Sequence, residues 1–367
     1  MAPVALALRS QPQVEVRICL SGQHQSSMAS VLEAFGLHPD ADLQAMQPSQ
    51  GLSELAAKIL AGVDRELKSR RPDMVLVHGD TTTAVSAALA AFHARVPLAH
   101  VEAGLRTHDL ARPWPEEANR RIIGVLSTLH FAPTALAREN LLREAVHPSG
   151  IEVTGNTVVD ALLHVRRRLD TDTVAAQRLV PLPDDGRKIV LVTGHRRENH
   201  GEGIDALCHA LLAIADRADA RVVYPVHPNP AVDRPVRERL GFHPSITLLP
   251  PLDYVPFVSL MARARVILTD SGGIQEEAPL LGTPVLVMRD VTERPEAVVS
   301  GAVRLVGMDR ARIVTETTRL LEDDTAHAAM RRGGSPYGDG QAAVRIAARC
   351  MREISPILRG PDASLSA

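Results

Sequence analysis

Residues 269–287 have the sequence TDSGGIQEEAPLLGTPVLV, and this stretch decides the fold class. The β-branched run before it predicts a strand, and residues 274–281 predict a short helix that ends before a second strand. Ser271, Gly272 and Gly273 then lie at the helix N-terminus, where unpaired backbone N–H groups favour an anion. The stretch therefore predicts a phosphate cradle. A nucleophilic role for Ser271 would need a histidine base close in the sequence, and none is present. The alternative to phosphate binding is an ordinary serine N-cap followed by a glycine turn.

Length, charge and cysteine usage narrow the class of protein. The chain has 367 residues, with 41 basic and 43 acidic side chains and a formal charge of −2. This length predicts two domains, and the balanced charge argues against binding to nucleic acid or to a membrane surface. Cys19, Cys208 and Cys350 are widely spaced and predict packed thiols rather than disulfides or a zinc site. No apolar run of about 18 residues and no basic leader occur, so we expect a cytoplasmic protein.

Strand patterns alternate with helical patterns along the chain. The predicted strands cover residues 14–20, 74–78, 98–101, 129–132, 151–154, 189–193, 221–226, 246–249, 266–269 and 285–288. This alternation predicts an α/β fold of two doubly wound, Rossmann-like domains that face a central cleft. We expect an N-terminal domain over residues 1–165, a C-terminal domain over 166–340, and a helix and tail over 341–367 that cross back to the N-terminal domain.

Acidic residues of the N-terminal half follow predicted strands or begin a predicted helix. Asp80 in VLVHGDTTTAV and Glu102 in LAHVEAGLRT lie at the carboxyl ends of strands, where α/β folds place their chemistry. A helix cap at Asp80 and an inert surface position for Glu102 are the alternatives. In ARPWPEEANRR, Glu116 and Arg120 share a helical face, so Arg120 would favour the ionised form of Glu116. An exposed ion pair without catalytic importance is the alternative.

Basic residues follow two strands of the C-terminal half. Arg196 and Arg197 stand beside His195 in LVTGHRRENHGEG and disfavour its protonated form, which suits a phosphate contact or proton transfer. The spacing of His195 and Glu198 also fits a metal site. We predict none, because no third ligand is close and the arginines repel a cation. In RDVTERPEA, Arg294 could pair with phosphate while a carboxylate accepts from ribose hydroxyls.

Motifs from residue 1 to about residue 350 follow one colinear order. They are HGDTTT, HVEAGLRT, PWPEEANRR, TGNTVVDAL, VTGHRREN, YPVHPNP, LTDSGGIQEEAP, MRDVTERPEA and SPYGDGQA. By these motifs the chain resembles the non-hydrolysing UDP-N-acetylglucosamine 2-epimerases. The resemblance implies a GT-B fold, a homodimer, and reversible interconversion of UDP-N-acetylglucosamine and UDP-N-acetylmannosamine without a metal or nicotinamide cofactor. It also implies that the product supplies ManNAc-type precursors for bacterial surface polysaccharide.

The resemblance implies roles for the matched residues. In the family, UDP is eliminated across C1 and C2 to give a glycal, and UDP adds back after a proton returns on the opposite face. Acid and base groups are then needed on both faces of the sugar. By motif match these are Asp80, Glu102, Glu116 and His195, and the face that each residue serves stays open.

The same match implies nucleotide-binding residues. Ser271, Gly272 and Gly273 would donate hydrogen bonds to the diphosphate, Glu276 would bind the ribose hydroxyls, and Phe257 would lie on the uracil side. The remaining implied substrate-binding residues are Gln23, His24, Arg120 and Arg294.

Two regions depart from the family pattern. Family members begin with a strand and a G-T-R-P-E loop, whereas this sequence starts at MAPVALAL, inside the following helix. With strands about 4.8 Å apart, a missing interior strand leaves a gap of about 10 Å. We therefore expect the true start upstream, or else an unstable or poorly active protein. In SGQHQSSM, residues 25–27 are polar where the family has arginine and longer side chains, which argues against allosteric activation by UDP-N-acetylglucosamine.

Other activities fit part of the pattern. A GT-B glycosyltransferase shares the nucleotide cradle but needs an acceptor, and a hydrolysing relative releases UDP and free N-acetylmannosamine. An inactive nucleotide-sugar-binding protein would bind UDP without turnover. Epimerases of uronic acid or diacetamido sugars also stay open, because the motifs do not specify the sugar.

Overall fold

The computed structural model describes residues 1–22, 25–47, 50–171, 176–177, 179–194, 196, 199, 201–333 and 336–358. The chain divides into two compact units. One is formed by Met1–Ala161 with Tyr337–Ala367, and the other by Leu162–Pro336. Parallel strands and helices build both units, so the predicted α/β class is confirmed. The expected domain limits at residues 165 and 340, and separate roles for the two halves, stay predictions.

The strands of the first unit form two parallel sheets. One contains β1 (Cys19–Leu20) and β2 (Ala41–Asp42), and the other contains β3 (Val75–His78), β4 (Leu98–Val101), β5 (Leu129–Ala132) and β6 (Ile151–Val153) in that order. Among the described strands, no ladder joins one sheet to the other. The strand predicted over residues 14–20 is shortened to Cys19–Leu20, because its described ladder with β2 is two residues long.

Helices connect and cover these strands. They are α1 (Ala2–Arg9), α2 (Gln25–Ala34), α3 (Leu52–Ser69), α4 (Thr82–His93), α5 (Glu116–Leu126), α6 (Ala135–Arg143) and α7 (Thr157–Thr171), with a 3-10 turn at Pro148–Gly150. The alanine-rich inner face of α4 packs Ala84, Ala88 and Ala91 against Val77 and Ile123. Small side chains let α4 pack close to the sheet, directly after the loop that follows β3.

The second unit is built on one parallel sheet. Its strands are β7 (Lys188–Thr193), β8 (Ala220–Pro225), β9 (Ile246–Leu249), β10 (Val266–Thr269), β11 (Val285–Val287) and β12 (Val303–Leu305). Their order across the sheet is β12-β11-β10-β7-β8-β9. The winding direction therefore reverses between β7 and β10. In such sheets a ligand binds beyond the carboxyl ends of the strands at this switch point.

Helices cover both faces of the second sheet. They are α8 (Glu202–Ala215), α9 (Pro230–Leu240), α10 (Tyr254–Arg263), α11 (Gly272–Glu277), α12 (Pro295–Val299), α13 (Arg310–Glu322) and α14 (Asp324–Arg331), with a 3-10 turn at Ala278–Leu281. The last helix, α15 (Ala342–Leu358), belongs to the first unit. Val190, Val192 and Leu268 are fully buried, since strands covered on both faces are apolar throughout.

Helix α15 packs against α1 in the first unit. Ile346 and Val4 are fully buried in the core that the two helices share with the sheet. Asp160 of α7 accepts hydrogen bonds from the backbone N–H groups of Ala342 at 3.3 Å and Ala343 at 2.9 Å, and so caps α15 from a neighbouring helix. None of the described helices has both the length and the apolar character that a membrane span requires.

Candidate active site

Asp80 lies in the turn after β3, where two residues of α5 bind it. Arg120 Nε donates to Asp80 Oδ2 at 2.9 Å, and its Nη2 lies 2.8 Å from the same oxygen. Asn119 Nδ2 donates to the Asp80 carbonyl oxygen at 2.8 Å. The N-cap of α4 is Thr81, whose hydroxyl accepts from the backbone N–H of Ala84. Asp80 is therefore not the helix cap, and its carboxylate pairs with a buried cation.

Glu102 follows β4 with a left-handed backbone, φ +66°. Such a conformation is uncommon outside glycine, and it occurs often at functional sites. The side chain is 15% exposed, with Oε2 3.6 Å from His78 Nε2. Its Oε1 accepts from Asn156 Nδ2 at 3.0 Å. In the same turn, a Cβ at Gly104 would stand 2.2 Å from the carbonyl oxygen of Ala137. Glu102 is therefore a largely buried carboxylate that Asn156 holds by a hydrogen bond, and not an inert surface residue.

Glu116 begins α5, but Arg120 is not its partner. Arg120 is 4% exposed, and its Nη1 donates to Glu117 at 3.0 Å. The predicted Glu116–Arg120 ion pair is therefore wrong. Side chains three apart on a helix meet as readily as side chains four apart, and the inward-facing Glu117 takes the guanidinium. Glu116 Oε2 is buried without a hydrogen-bond partner in the described part of the chain. Substrate binding by Arg120 stays a prediction.

Glu117 joins the loop after Glu102 to α5. It is fully buried, and its carboxylate accepts from the backbone N–H groups of Thr107 at 3.1 Å and His108 at 3.2 Å. With Arg120 it completes a network that reaches Asp80. A buried charge needs such partners, because breaking one pair costs about 3–5 kcal/mol. Sequence alone does not single out Glu117, since spacing cannot tell which of two adjacent carboxylates points inward.

Two histidines of the sheet β3–β6, His100 and His130, are buried. Burial lowers the pKa of His100 to about 3 and that of His130 to about 4. The pKa of His78, whose side chain is 36% exposed, is also lowered, so His78 gives Glu102 little positive charge near neutral pH.

In the second unit, Asp270 ties the loop after β7 to the loop after β10. Its Oδ2 accepts from the backbone N–H of Arg196 at 2.9 Å and from Asn199 Nδ2 at 3.2 Å. Arg196 Nε also donates to the Asp270 carbonyl oxygen at 3.2 Å. These two loops flank the switch point of the sheet, so Ser271 lies where a doubly wound fold binds its ligand.

The turn that begins α11 contacts Arg294. Ser271 takes the N-cap position without a capping hydrogen bond from its side chain, so it is not a plain helix cap. A Cβ at Gly272 would stand 2.5 Å from Arg294 Nη1 and 3.0 Å from Glu293 Oε1, whereas a Cβ at Gly273 would have no atom within 4 Å. The structure thus brings together the predicted phosphate cradle and the predicted phosphate-binding arginine.

Arg294 lies between two buried carboxylates. Its Nε donates to Glu276, and its Nη1 donates to Glu293 Oε1 at 2.6 Å. Arg289 Nη1 donates to the other oxygen of Glu293 at 3.0 Å. Burial opposes ionisation of Glu293, but Arg294, Arg289 and Arg196 together lower its pKa to about 2. Glu276 is 1% exposed, and its contact with ribose stays a prediction.

A second carboxyl group of the same motif is Glu277. Tyr254 Oη donates to Glu277 Oε1 at 2.8 Å. Burial raises the pKa of Glu277 to about 7 and also raises the pKa of Tyr254. The QEE sequence contains this residue, but burial cannot be read from a pair of adjacent glutamates. Phe257 lies in α10 and is half-buried, and its uracil contact stays a prediction.

Three of the predicted residues, His195, Gln23 and His24, lie outside the described residues. The first unit holds Asp80, Glu102, Glu116 and Arg120 in linked loops, and the second holds Gly272, Glu276 and Arg294 in contact. Across the described ranges, no three metal-ligating side chains stand close enough to hold an ion.

Comparison with known proteins identifies the family. The model of the UDP-N-acetylglucosamine 2-epimerase family matches residues 6–350. The chain is 54% identical over 350 residues to the UDP-N-acetylglucosamine 2-epimerase of Escherichia coli K12, covering 94% of this chain and 93% of the relative. It is 46% identical over 353 residues to the Campylobacter jejuni enzyme of the same name, covering 94% of this chain and 92% of the relative.

Solved structures agree with these relatives. UDP-GlcNAc 2-epimerase from Neisseria meningitidis, bound to UDP-GlcNAc, has a TM-score of 0.92 at 44% identity, with 96% of each chain covered. The Methanocaldococcus jannaschii enzyme, in complex with UDP-GlcNAc and UDP, has a TM-score of 0.84 at 31% identity, covering 96% of this chain and 95% of that chain. The expected GT-B fold is confirmed. Both the motifs and these matches show that the chain belongs to the UDP-N-acetylglucosamine 2-epimerase family.

Proposed function

We propose that this chain interconverts UDP-N-acetylglucosamine and UDP-N-acetylmannosamine. The observation that carries the proposal is the linked set of carboxylates in the first unit. Arg120 binds both Asp80 and Glu117, and Glu117 binds the loop that follows Glu102. Acid and base groups on separate loops are thus fixed relative to one another, as a reaction on two faces of a sugar requires.

The chemistry proceeds by elimination and re-addition. The C2 proton of the sugar is not acidic, because neither C1 nor C3 carries a carbonyl group. A base takes this proton while the C1–O bond breaks, so that UDP leaves with the bonding electrons and a C1–C2 double bond forms. A proton then returns to C2 on the opposite face, and UDP adds to C1. Asp80, Glu102, Glu116 and His195 are the proposed proton-transfer groups, and the assignment to each face is left open.

The second unit holds UDP while it is detached from the sugar. At the start of α11 no protein atom lies within 4 Å of a Cβ built at Gly273, so a ligand has room beside this backbone. Helix N-termini favour phosphate. Arg294 contacts Gly272 next to Gly273. We assign the diphosphate to Ser271, Gly272, Gly273 and Arg294. Glu276 and Phe257 are assigned to the ribose and the uracil, and Gln23 and His24 complete substrate binding.

The working form is proposed to be a cytoplasmic homodimer. The family resemblance is the ground for the dimer, and α4 and α5 offer a suitable face. They pack against each other and leave Phe92, Ile122 and Val125 at 57%, 46% and 85% exposure. Cys19, Cys208 and Cys350 are all free thiols, as is usual in a reducing compartment.

Proton NMR in D₂O tests the activity directly. The chain is incubated with UDP-N-acetylglucosamine, and we expect UDP-N-acetylmannosamine signals together with deuterium at C2 of both sugars. Glu116→Gln is the matched inactive variant. Free N-acetylmannosamine with UDP would instead indicate the hydrolysing activity, and transfer only with an added acceptor would indicate a glycosyltransferase. UDP binding without any exchange would identify an inactive binding protein.

A further inference from the structure

We propose that Asn156 is a positioning residue that orients Glu102 for proton transfer. The inference rests on the proposed function, because it assigns Glu102 to the reaction. Asn156 is 3% exposed and follows β6. Its Nδ2 donates to Glu102 Oε1 at 3.0 Å. Asparagine carries no proton that titrates, so its contribution is to hold the carboxylate and not to exchange protons with the sugar.

The orientation of the Asn156 amide is determined by its other contacts. Its Oδ1 accepts from the backbone N–H of Val158 at 3.2 Å, at the start of α7. The NH₂ group must therefore point to Glu102. The backbone N–H of Asn156 also donates to the carbonyl oxygen of Tyr337 at 2.6 Å. Main chain and side chain of Asn156 are both fixed, which makes it a rigid donor.

The backbone of Glu102 makes the direction of its side chain depend on the residues around it. Its left-handed backbone carries a conformational cost that the surrounding structure must offset. His78 lies 3.6 Å from Oε2, beyond hydrogen-bonding distance. Gly79 only makes room, since a Cβ there would stand 3.2 Å from Oε2. A neutral amide on Oε1 sets the direction of the carboxylate without cancelling its charge, and so leaves it able to take a proton.

Asn156→Asp separates this role from a structural one. Aspartate keeps the shape of the side chain and the oxygen that accepts from Val158, and it is as good a helix cap as asparagine. It replaces the donor to Glu102 by a second oxygen. We expect cooperative unfolding to persist and KM to stay within about threefold, while kcat falls about 10- to 100-fold, as is typical for a partner that orients a reacting ligand. Deuterium uptake at C2 should fall in parallel.

The control is Asn229→Asp in the second unit. Asn229 also caps a helix, with Oδ1 accepting from the backbone N–H of Ala231 at 3.0 Å. The same change there should leave kcat and KM as in the parent protein. Binding of UDP to both variants is measured by isothermal titration, with the fluorescence of Trp114, the only tryptophan of the chain and 64% exposed, as a second probe. Binding should be preserved in both variants.

The outcomes distinguish failure of the positioning role of Asn156 from failure of the proposed epimerase activity. An Asn156→Asp protein that folds and keeps the parent kcat overturns the positioning role. Should it fail to unfold cooperatively, Asn156→Ser provides a second test, because serine can also cap α7 but is too short to reach Glu102. Loss of folding in both variants would make Asn156 a folding residue and overturn the inference. A parent protein without turnover refutes the proposed function instead.

Discussion

The two glycines after Ser271 differ in the room around them. Gly272→Ala would place a methyl group 2.5 Å from Arg294 Nη1, so Arg294 must move away from the turn. We expect the Kd for UDP to rise at least about tenfold, which corresponds to about 1.4 kcal/mol. Isothermal titration of the full chain with UDP measures the change.

Gly51→Ala, outside the residues assigned to UDP, is the control. Gly51 precedes α3 in the first unit, and a methyl group added there meets no atom within 4 Å. The Kd for UDP should stay within about twofold, since a substitution without new contacts changes free energies by about 0.5 kcal/mol or less. Equal effects of the two substitutions would contradict the assignment of Arg294 to UDP.

Glu277 links stability to pH. Its pKa is about 7 in the folded protein, against an ordinary value of 4.5. Between these values the folded state binds more protons than the unfolded state, so the free energy of unfolding falls as pH rises through this window. Glutamine cannot ionise. We therefore expect the free energy of unfolding of Glu277→Gln, compared with that of the parent protein, to rise by about 2–3 kcal/mol when the pH is raised from 5 to 8. Urea denaturation at both pH values measures this difference.

An exposed glutamate serves as the reference for that measurement. Glu139 is 51% exposed and pairs with Arg138 at 3.1 Å. Glu139→Gln should change the free energy of unfolding by less than about 1 kcal/mol at both pH values. A pH-independent effect of Glu277→Gln would show that Glu277 is ionised in the folded protein at pH 5.

Among the helices, α15 depends on a cap supplied from outside its own segment. Asp160 accepts from two of its first backbone N–H groups, which no residue within the helix can satisfy. Asp160→Ala should lower the free energy of unfolding by about 1–2 kcal/mol in urea denaturation. Asp170→Ala, which removes an exposed i,i+4 pair with Arg166, should cost about 0.5 kcal/mol or less. Similar losses in both variants would contradict the capping role.

For the molecule as a whole, the proposed dimer makes a prediction about two valines. Val125 on α5 is 85% exposed, and Val299 in the second unit is 87% exposed. A charge buried in an interface without a partner is costly. Val125→Asp should therefore raise the dimer Kd at least about tenfold, about 1.4 kcal/mol, in sedimentation experiments, whereas Val299→Asp should not. A monomeric parent protein would refute the dimer, and a dimer insensitive to both changes would refute this face.

The sequence by itself determined the fold class and the family. Strand and helix patterns depend on side chains a few residues apart, so the alternation along the chain was enough to predict α/β units. The motif TDSGGIQEEAP likewise predicted a strand, a turn and a helix, and this prediction is confirmed by β10 and α11. Short motifs in a colinear order were enough for the family, because each specifies its own local structure.

Only the tertiary structure decided which side chains meet. Helical spacing predicted Arg120 beside Glu116, yet the guanidinium binds Glu117 and Asp80. No pattern in the sequence joins Asn156 to Glu102, which are 54 residues apart. Spacing constrains neighbours on one element, whereas such contacts form only when loops from different strands arrive at the same sheet edge. Burial sets the charge of Glu277, His100 and His130. It also arises only in the tertiary structure, because it depends on what the rest of the chain places around each group.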